Sequence, residues 1–186
     1  MSGDLRDRVL DATFAEVDAN GLAGLTVEAV AGRAGSSRAT IYRHFPGGRD
    51  ELVDTTVRRE VRRFFDALAG AVPDEGDLVD RVAALVSSAR SLLLEHRVLQ
   101  RLLEDEAEAI VPSLATVHPR IQDALARYLV EQFERSGLPD GVDPGRAADH
   151  CARMVLSYVG AGGSWDLDDA AQLRAMVRTR LLAGIV

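Results

Sequence analysis

Apolar side chains recur three and four residues apart along this chain, and no segment alternates apolar and polar residues in the period-two manner of a half-buried strand. That regularity argues against a sheet and predicts packed helices. Leu5, Val9, Leu10, Phe14 and Val17 share one broad arc that also takes in Thr13, while Asp7, Arg8, Asp11 and Asp18 lie opposite. Gly21 ends this first helix, 5–20, as a C-terminal cap. Thr26 has the hydroxyl to cap a short second helix, 27–34, and Gly35 makes a turn. Ser36 or Ser37 caps a third helix to about Phe45, and Pro46-Gly47-Gly48 breaks it. A fourth helix is expected over 49–68, with Asp50 and Glu51 favourable at its start.

Further helices are expected over 78–94 and 96–110, with Pro112 as a break, and over 113–136, divided by Pro119. Loops are expected at 73–77, 137–141 and 160–163. Pro144 opens a helix to about Val159, and Asp166–Asp169 opens a last one running almost to Val186. The fold class is therefore all-α, with about nine helices. Aromatic residues make up only 5% of the chain against 47% apolar residues, so its apolar mass is Ala, Val and Leu, which suits helix packing.

The net charge of −7 argues at first against a nucleic-acid partner, but its distribution does not. Residues 1–63 carry ten Arg and ten acids, and all of the excess negative charge lies beyond them. Within 26–45, Arg33, Arg38 and Arg43 face the single acid Glu28, a local basic face on an acidic body. The chain has no lysine, which with its Ala, Gly and Val richness points to GC-rich coding, as in a high-GC bacterium.

Two short helices joined at Gly35 fit the helix-turn-helix unit, whose second helix lies in the major groove of DNA. Ile41 and Phe45, four apart, are expected to face inward onto Val30 and Ala31, leaving Ser37, Arg38, Thr40, Arg43 and His44 for the outer surface. Arg38 has the fork to pair with guanine, and Thr40 can touch a base or a thymine methyl. Ser37, Tyr42 and His44 have donors for phosphates.

The run Gly21-Leu22-Ala23-Gly24-Leu25-Thr26-Val27-Glu28-Ala29-Val30-Ala31, followed by Ala34-Gly35-Ser36-Ser37-Arg38-Ala39-Thr40-Ile41-Tyr42-Arg43-His44-Phe45, resembles the N-terminal signature of the TetR family. So does the Asp50-Glu51-Leu52 that opens the fourth helix, and the likeness covers about residues 5–60. The resemblance implies a homodimer that binds an operator palindrome as a repressor, and a small molecule in the C-terminal domain that releases the DNA. It places Thr26, Ser37, Tyr42 and His44 on phosphates and Arg38, Ala39 and Thr40 on bases, with Ser36, Arg43 and Arg49 completing the DNA-facing set. Two departures stand out. Ser36 replaces a usual small aliphatic residue, and the Pro46-Gly47-Gly48 link is one residue longer, which puts Arg49 where a phosphate-binding Lys is usual.

The resemblance divides the chain into a DNA-binding domain, 1–50, with the fourth helix linking it to a ligand-binding and dimerisation domain, 69–186. It implies that helices 144–159 and 167–185 pair the subunits. Their stripes are Ala148, Cys151, Val155 and Tyr158 on one, and Leu173, Met176, Val177 and Leu181 on the other. The candidate effector lining is Leu92, His96, Leu99, Leu103, Ile121, Leu125, Tyr128, His150 and Met154, with Arg97 or Arg101 available for a carboxylate. That lining suits an uncharged or weakly anionic, largely apolar molecule. No cofactor is expected. No metal is expected either, because His96, His118, His150 and Cys151 lack ligand spacing. Gly160–Gly163 has no preceding strand or third glycine for a dinucleotide, and neither a Walker loop, an HExxH nor a nucleophile elbow occurs, so the chain is not read as an enzyme. With one cysteine, no secretion signal and no bilayer-length apolar run, a cytoplasmic location is expected.

Overall fold

The computed structural model describes residues 2–73, 75–160 and 163–185. Among them are nine α-helices and no strand: α1 (Ser2–Asn20), α2 (Val27–Arg33), α3 (Arg38–His44), α4 (Gly48–Ala71), α5 (Leu78–Glu95), α6 (Arg97–Asp105), α7 (Ala107–Ser136), α8 (Pro144–Gly160) and α9 (Ala170–Met176). A π-helical turn, Val177–Leu181, continues α9. The chain forms two compact units, Met1–Arg63 with His96–Val117, and Phe64–Glu95 with His118–Val186. The first unit thus includes residues 96–117, a stretch that the sequence places among the C-terminal helices.

The core of the first unit gathers Val9, Leu10 and Val17 from α1, Val30 and Ala31 from α2, Ile41 and Phe45 at α3, and Leu52 and Val53 from α4. Leu102 of α6 and Ile110 of α7 complete it. Burying each large aliphatic or aromatic side chain here contributes about 1.5–3 kcal/mol. Thr13, which falls in the apolar arc of α1, is fully buried and satisfies its hydroxyl by donating to the Val9 carbonyl at 2.8 Å.

The core of the second unit is built from Val82, Leu85 and Val86 of α5, Leu129 and Phe133 of α7, Ala148, Cys151 and Val155 of α8, and Leu173 and Met176 of α9. Trp165 packs against it, half-buried. The apolar stripes of α8 and α9 are therefore spent inside a single chain.

Three local expectations are corrected. The helix expected over 96–110 ends at Asp105, and α7 begins at Ala107 and runs unbroken through Pro112 and Pro119. The break falls at Glu106 (φ −135°, ψ 34°) instead, because the carboxylate there is drawn into a tertiary contact described below. Both prolines are exposed, where water can satisfy the carbonyls that their missing N–H groups leave free. The final α-helix is shorter than expected. Asp169 caps it, accepting from the Ala171 and Gln172 N–H groups at 2.8 and 3.1 Å, and these bonds hold its carboxyl below the usual range. After Met176 the helix widens, with the Leu182 N–H reaching the Val177 carbonyl five residues back at 2.9 Å. The wider turn lets Val177, Leu181 and Leu182 all lie fully buried. The middle of the expected 160–163 loop and Val186 at the chain end lie outside the described residues, as does Asp74 in the 73–77 loop.

Candidate nucleic-acid interface

The turn between α2 and α3 is a Schellman motif. Gly35 sits at φ +61°, its N–H reaching the Gly32 carbonyl at 3.2 Å, and the Ser36 N–H reaches the Ala31 carbonyl at 2.9 Å. A side chain is strained in that left-handed conformation, so glycine is the residue that lets α2 stop and α3 start within four residues. The Thr26 hydroxyl caps α2 by accepting from the Ala29 N–H at 3.1 Å. Of the two candidate caps for α3 it is Ser37 that serves, accepting from the Thr40 N–H at 3.2 Å, with its hydroxyl 3.0 Å from that of Thr40.

Anchored in this way, α3 turns Ile41 and the following Phe45 fully inward. Ser37, Arg38, Ala39, Tyr42 and Arg43 are exposed, and Ser36, Thr40 and His44 are half-buried. Nine of the ten residues expected to face DNA thus lie at α3 or at the cap of α2. Arg49, at the start of α4, is differently engaged. Its Nε donates to the Leu25 carbonyl at 3.1 Å and a terminal nitrogen to the Leu22 carbonyl at 2.7 Å, tying α4 to the α1–α2 connection.

Sequence reasoning missed several groups. Arg6 lies 4.6 Å over the Phe45 ring and donates to the His44 carbonyl at 3.4 Å, at the end of α3. Glu28 pairs with Arg38 at 2.5 Å across the exposed side of the motif. Arg33 donates to Glu16 at 2.6 Å, joining α1 to α2, and with help from Asn20 holds the Glu16 carboxyl below its ordinary value of 4.5. Charge alone flagged Glu28 and Arg33 in the sequence, but not which partner each takes.

Arg101 of α6 and Glu106 at its C-terminal cap add hydrogen bonds to the packing of the first unit. Arg101 donates to the Val17 and Asp18 carbonyls, both at 2.6 Å, at the carbonyl end of α1. Glu106 accepts from the Leu22 and Ala23 N–H groups at 3.1 and 2.7 Å. Gly21 (φ +72°) leaves room for it, since a Cβ there would stand 2.2 Å from a Glu106 carboxylate oxygen.

The residues expected to line an effector cavity do not form one group. His96, Leu99 and Leu103 belong to the first unit, and Leu92, Ile121, Leu125, Tyr128, His150 and Met154 to the second. His96 caps α6 through Nδ1, which accepts from the Leu99 N–H at 3.2 Å, and its ring meets Phe14 edge-on. His150 is exposed, Leu125 is buried, and Leu92, Ile121, Tyr128 and Met154 are half-buried. A cleft of about 320 Å³ in the first unit is lined by Arg8, Asp11, Ala12, Ala15, Arg33 and Ala34, none of them in the expected set. Burial pushes the Cys151 thiol up to about 12, and its sulfur is 2.9 Å from the Leu181 carbonyl, so it is a packed thiol rather than a nucleophile. Among the described residues no cluster of His, Cys, Asp or Glu has metal-site geometry, and no helix is long and apolar enough to cross a membrane.

A capped, Gly-turned pair of short helices that presents arginine and hydroxyl side chains to solvent has the geometry of the helix-turn-helix unit of transcription regulators. Residues 9–56 match the sequence model of the bacterial regulatory proteins of the tetR family. An HTH-type transcriptional regulator of Mycobacterium tuberculosis is 26% identical over 92% of this chain and 82% of its own length. The fold is similar to that of the TetR family repressor AlkX from Dietzia sp., implicated in biodegradation of n-alkanes (TM-score 0.65, 20% identity, 95% of this chain and 94% of that one). It is also similar to the protein of the SmeT–triclosan complex (TM-score 0.58, 26% identity, 98% and 91%).

Proposed function

We propose that this regulator is a homodimeric repressor that binds a palindromic operator and is released by a small, largely apolar effector. One observation carries the reading. The exposed side of α3 presents Arg38 at its first position and Thr40 beside it, on a helix whose opposite side is locked by Ile41 and Phe45. In this reading Arg38, Ala39 and Thr40 meet base edges, while Thr26, Ser36, Ser37, Tyr42, Arg43 and His44 hold phosphates. Arg49 contributes through the backbone carbonyls it holds in place.

In this reading the effector sits in the second unit, and the half-buried state of Leu92, Ile121, Tyr128 and Met154 supports it. Aliphatic bulk with one phenol suits an uncharged or weakly anionic guest. AlkX's link to n-alkanes and SmeT's complex with triclosan support that class. The effector must favour a DNA-incompetent arrangement over the competent one to cause release. The regulator would act in the cytoplasm, where its operator is.

Selection of genomic fragments by the purified protein, followed by footprinting, tests the reading. A protected two-fold symmetric site, weakened by rising salt, is expected. Failure to enrich any site removes the operator reading. Calorimetry against long-chain acids, neutral terpenoids and cationic drugs then tests the effector class. DNA release by the cationic drugs alone overturns it.

A further inference from the structure

The carboxylate of Glu28, in the first turn of α2, lies 2.5 Å from a terminal nitrogen of Arg38, the first residue of α3. Both side chains are more than half exposed, at 55% and 59%. An ion pair that open to water contributes little to stability. Its place is costly for binding, because it sets a negative charge on the face that has to approach phosphates. Arg33 and Arg43, the other cations of the motif, are not its partners: Arg33 is taken by Glu16, and the Glu28 contact is to Arg38. What the pair does accomplish is geometric. A guanidinium offers five N–H donors in a rigid plane. With one terminal nitrogen held by Glu28, the Nε edge and the other terminal nitrogen remain to address a planar acceptor pair such as guanine O6 and N7. An arginine biased in this way also swings less often to a phosphate, the contact that is the same at every sequence.

We propose that Glu28 is a positioning residue for base reading, which fixes Arg38 for guanine and makes binding to any other sequence weaker. The proposal rests on the base-reading role given to Arg38 above. It makes Glu28 a determinant of specificity that lowers the total affinity for DNA while widening the gap between the operator and other sequences.

The test uses the full-length protein, its selected operator, operators changed at each base pair in turn, and a random duplex. Glu28→Gln, Arg38→Ala and the double variant are compared by fluorescence anisotropy at several salt concentrations. Glu28→Gln is expected to bind the random duplex several-fold more tightly. It is expected to lose about fivefold or more of the discrimination at the base pair that Arg38→Ala also loses, the size of a bidentate contact at its lower limit. In the Arg38→Ala background, Glu28→Gln should leave discrimination at that base pair unchanged. A merely structural role for Glu28 at the start of α2 would shift thermal melting and leave the base-pair profile alone. Unaltered discrimination in Glu28→Gln, while Arg38→Ala abolishes it, overturns the proposal and leaves the base-reading role of Arg38 standing. Uniform weakening of all sequences by Arg38→Ala overturns that role itself, and the proposal with it.

Discussion

Arg38 and Glu16 show how differently two charged residues of one motif can be used. Arg38 is exposed and its partner is exposed, so removing it leaves the fold intact and changes what the surface can recognise. Arg38→Ala should cost about 1–3 kcal/mol at one base pair per half-site while leaving other positions alone. Binding titrations against single-base operator variants measure this directly. Glu16 is nearly buried, with its side chain 9% exposed and paired to Arg33 and Asn20. Its folded carboxyl is held below the ordinary 4.5, chiefly by the Arg33 hydrogen bond. The carboxylate therefore favours the folded state fully above that ordinary value, and the contribution is lost as pH falls through the folded one. Melting temperatures of wild type and Glu16→Gln should differ most near neutrality and converge in acid. A gap that stays constant from pH 7 to pH 3 would show that the lowered carboxyl does not contribute to stability.

At the scale of helices, what could be read from the sequence and what could not follow from where each boundary is decided. The turns of the first unit are set by short-range chemistry: Thr26 and Ser37 cap, Gly35 reverses, and all three signals lie within four residues of what they control. The break at Glu106 is decided by backbone N–H groups of Leu22 and Ala23, more than eighty residues earlier, which no window on the sequence contains. Pro112 and Pro119 gave a plausible local break that α7 overrides. The widened turn at Val177–Leu181 is likewise a response to packing, because it brings neighbouring leucines into one core. The outward side of α3 was legible because it rides on local signals. The division of the expected effector lining between the two units was not, since apolar periodicity marks burial without saying what is buried against what. The override of the prolines has a cost that can be measured. Pro119→Ala restores an N–H for the Ala115 carbonyl at an exposed site and should stabilise the protein by about 2 kcal/mol, the helix-propensity gain less the stiffness that proline gives the unfolded chain. Chemical denaturation reports it, and an unchanged or lowered midpoint would mean that α7 needs its proline.

For the whole molecule, the question is what remains to pair two chains once the apolar stripes of α8 and α9 are spent inside one. The surfaces left are the outward positions, among them Ser157 on α8 and Ala175 on α9, both exposed and small enough for helices to approach closely. A homodimer built there should run at about 40 kDa in light scattering, twice the 20.1 kDa of the chain. Ala175→Glu and Ser157→Arg should each yield monomers that keep the helical content of the wild type. Removal of residues 167–186 is a poorer test, because Leu173, Met176 and Leu181 belong to the core of the subunit. Dimers unaffected by both substitutions would place the interface elsewhere.

The fit of Glu106 against Gly21 also has a meaning for descent. No side chain can enter at position 21 while the carboxylate stays on the Leu22 and Ala23 N–H groups, because a Cβ would stand 2.2 Å from its oxygen. The constraint runs one way, because losing the glutamate leaves the glycine unopposed, and its φ of +72° disfavours other residues there in any case. Across a lineage of this protein, the glutamate should therefore be lost with the glycine kept, and any loss of the glycine should be accompanied by loss of the glutamate.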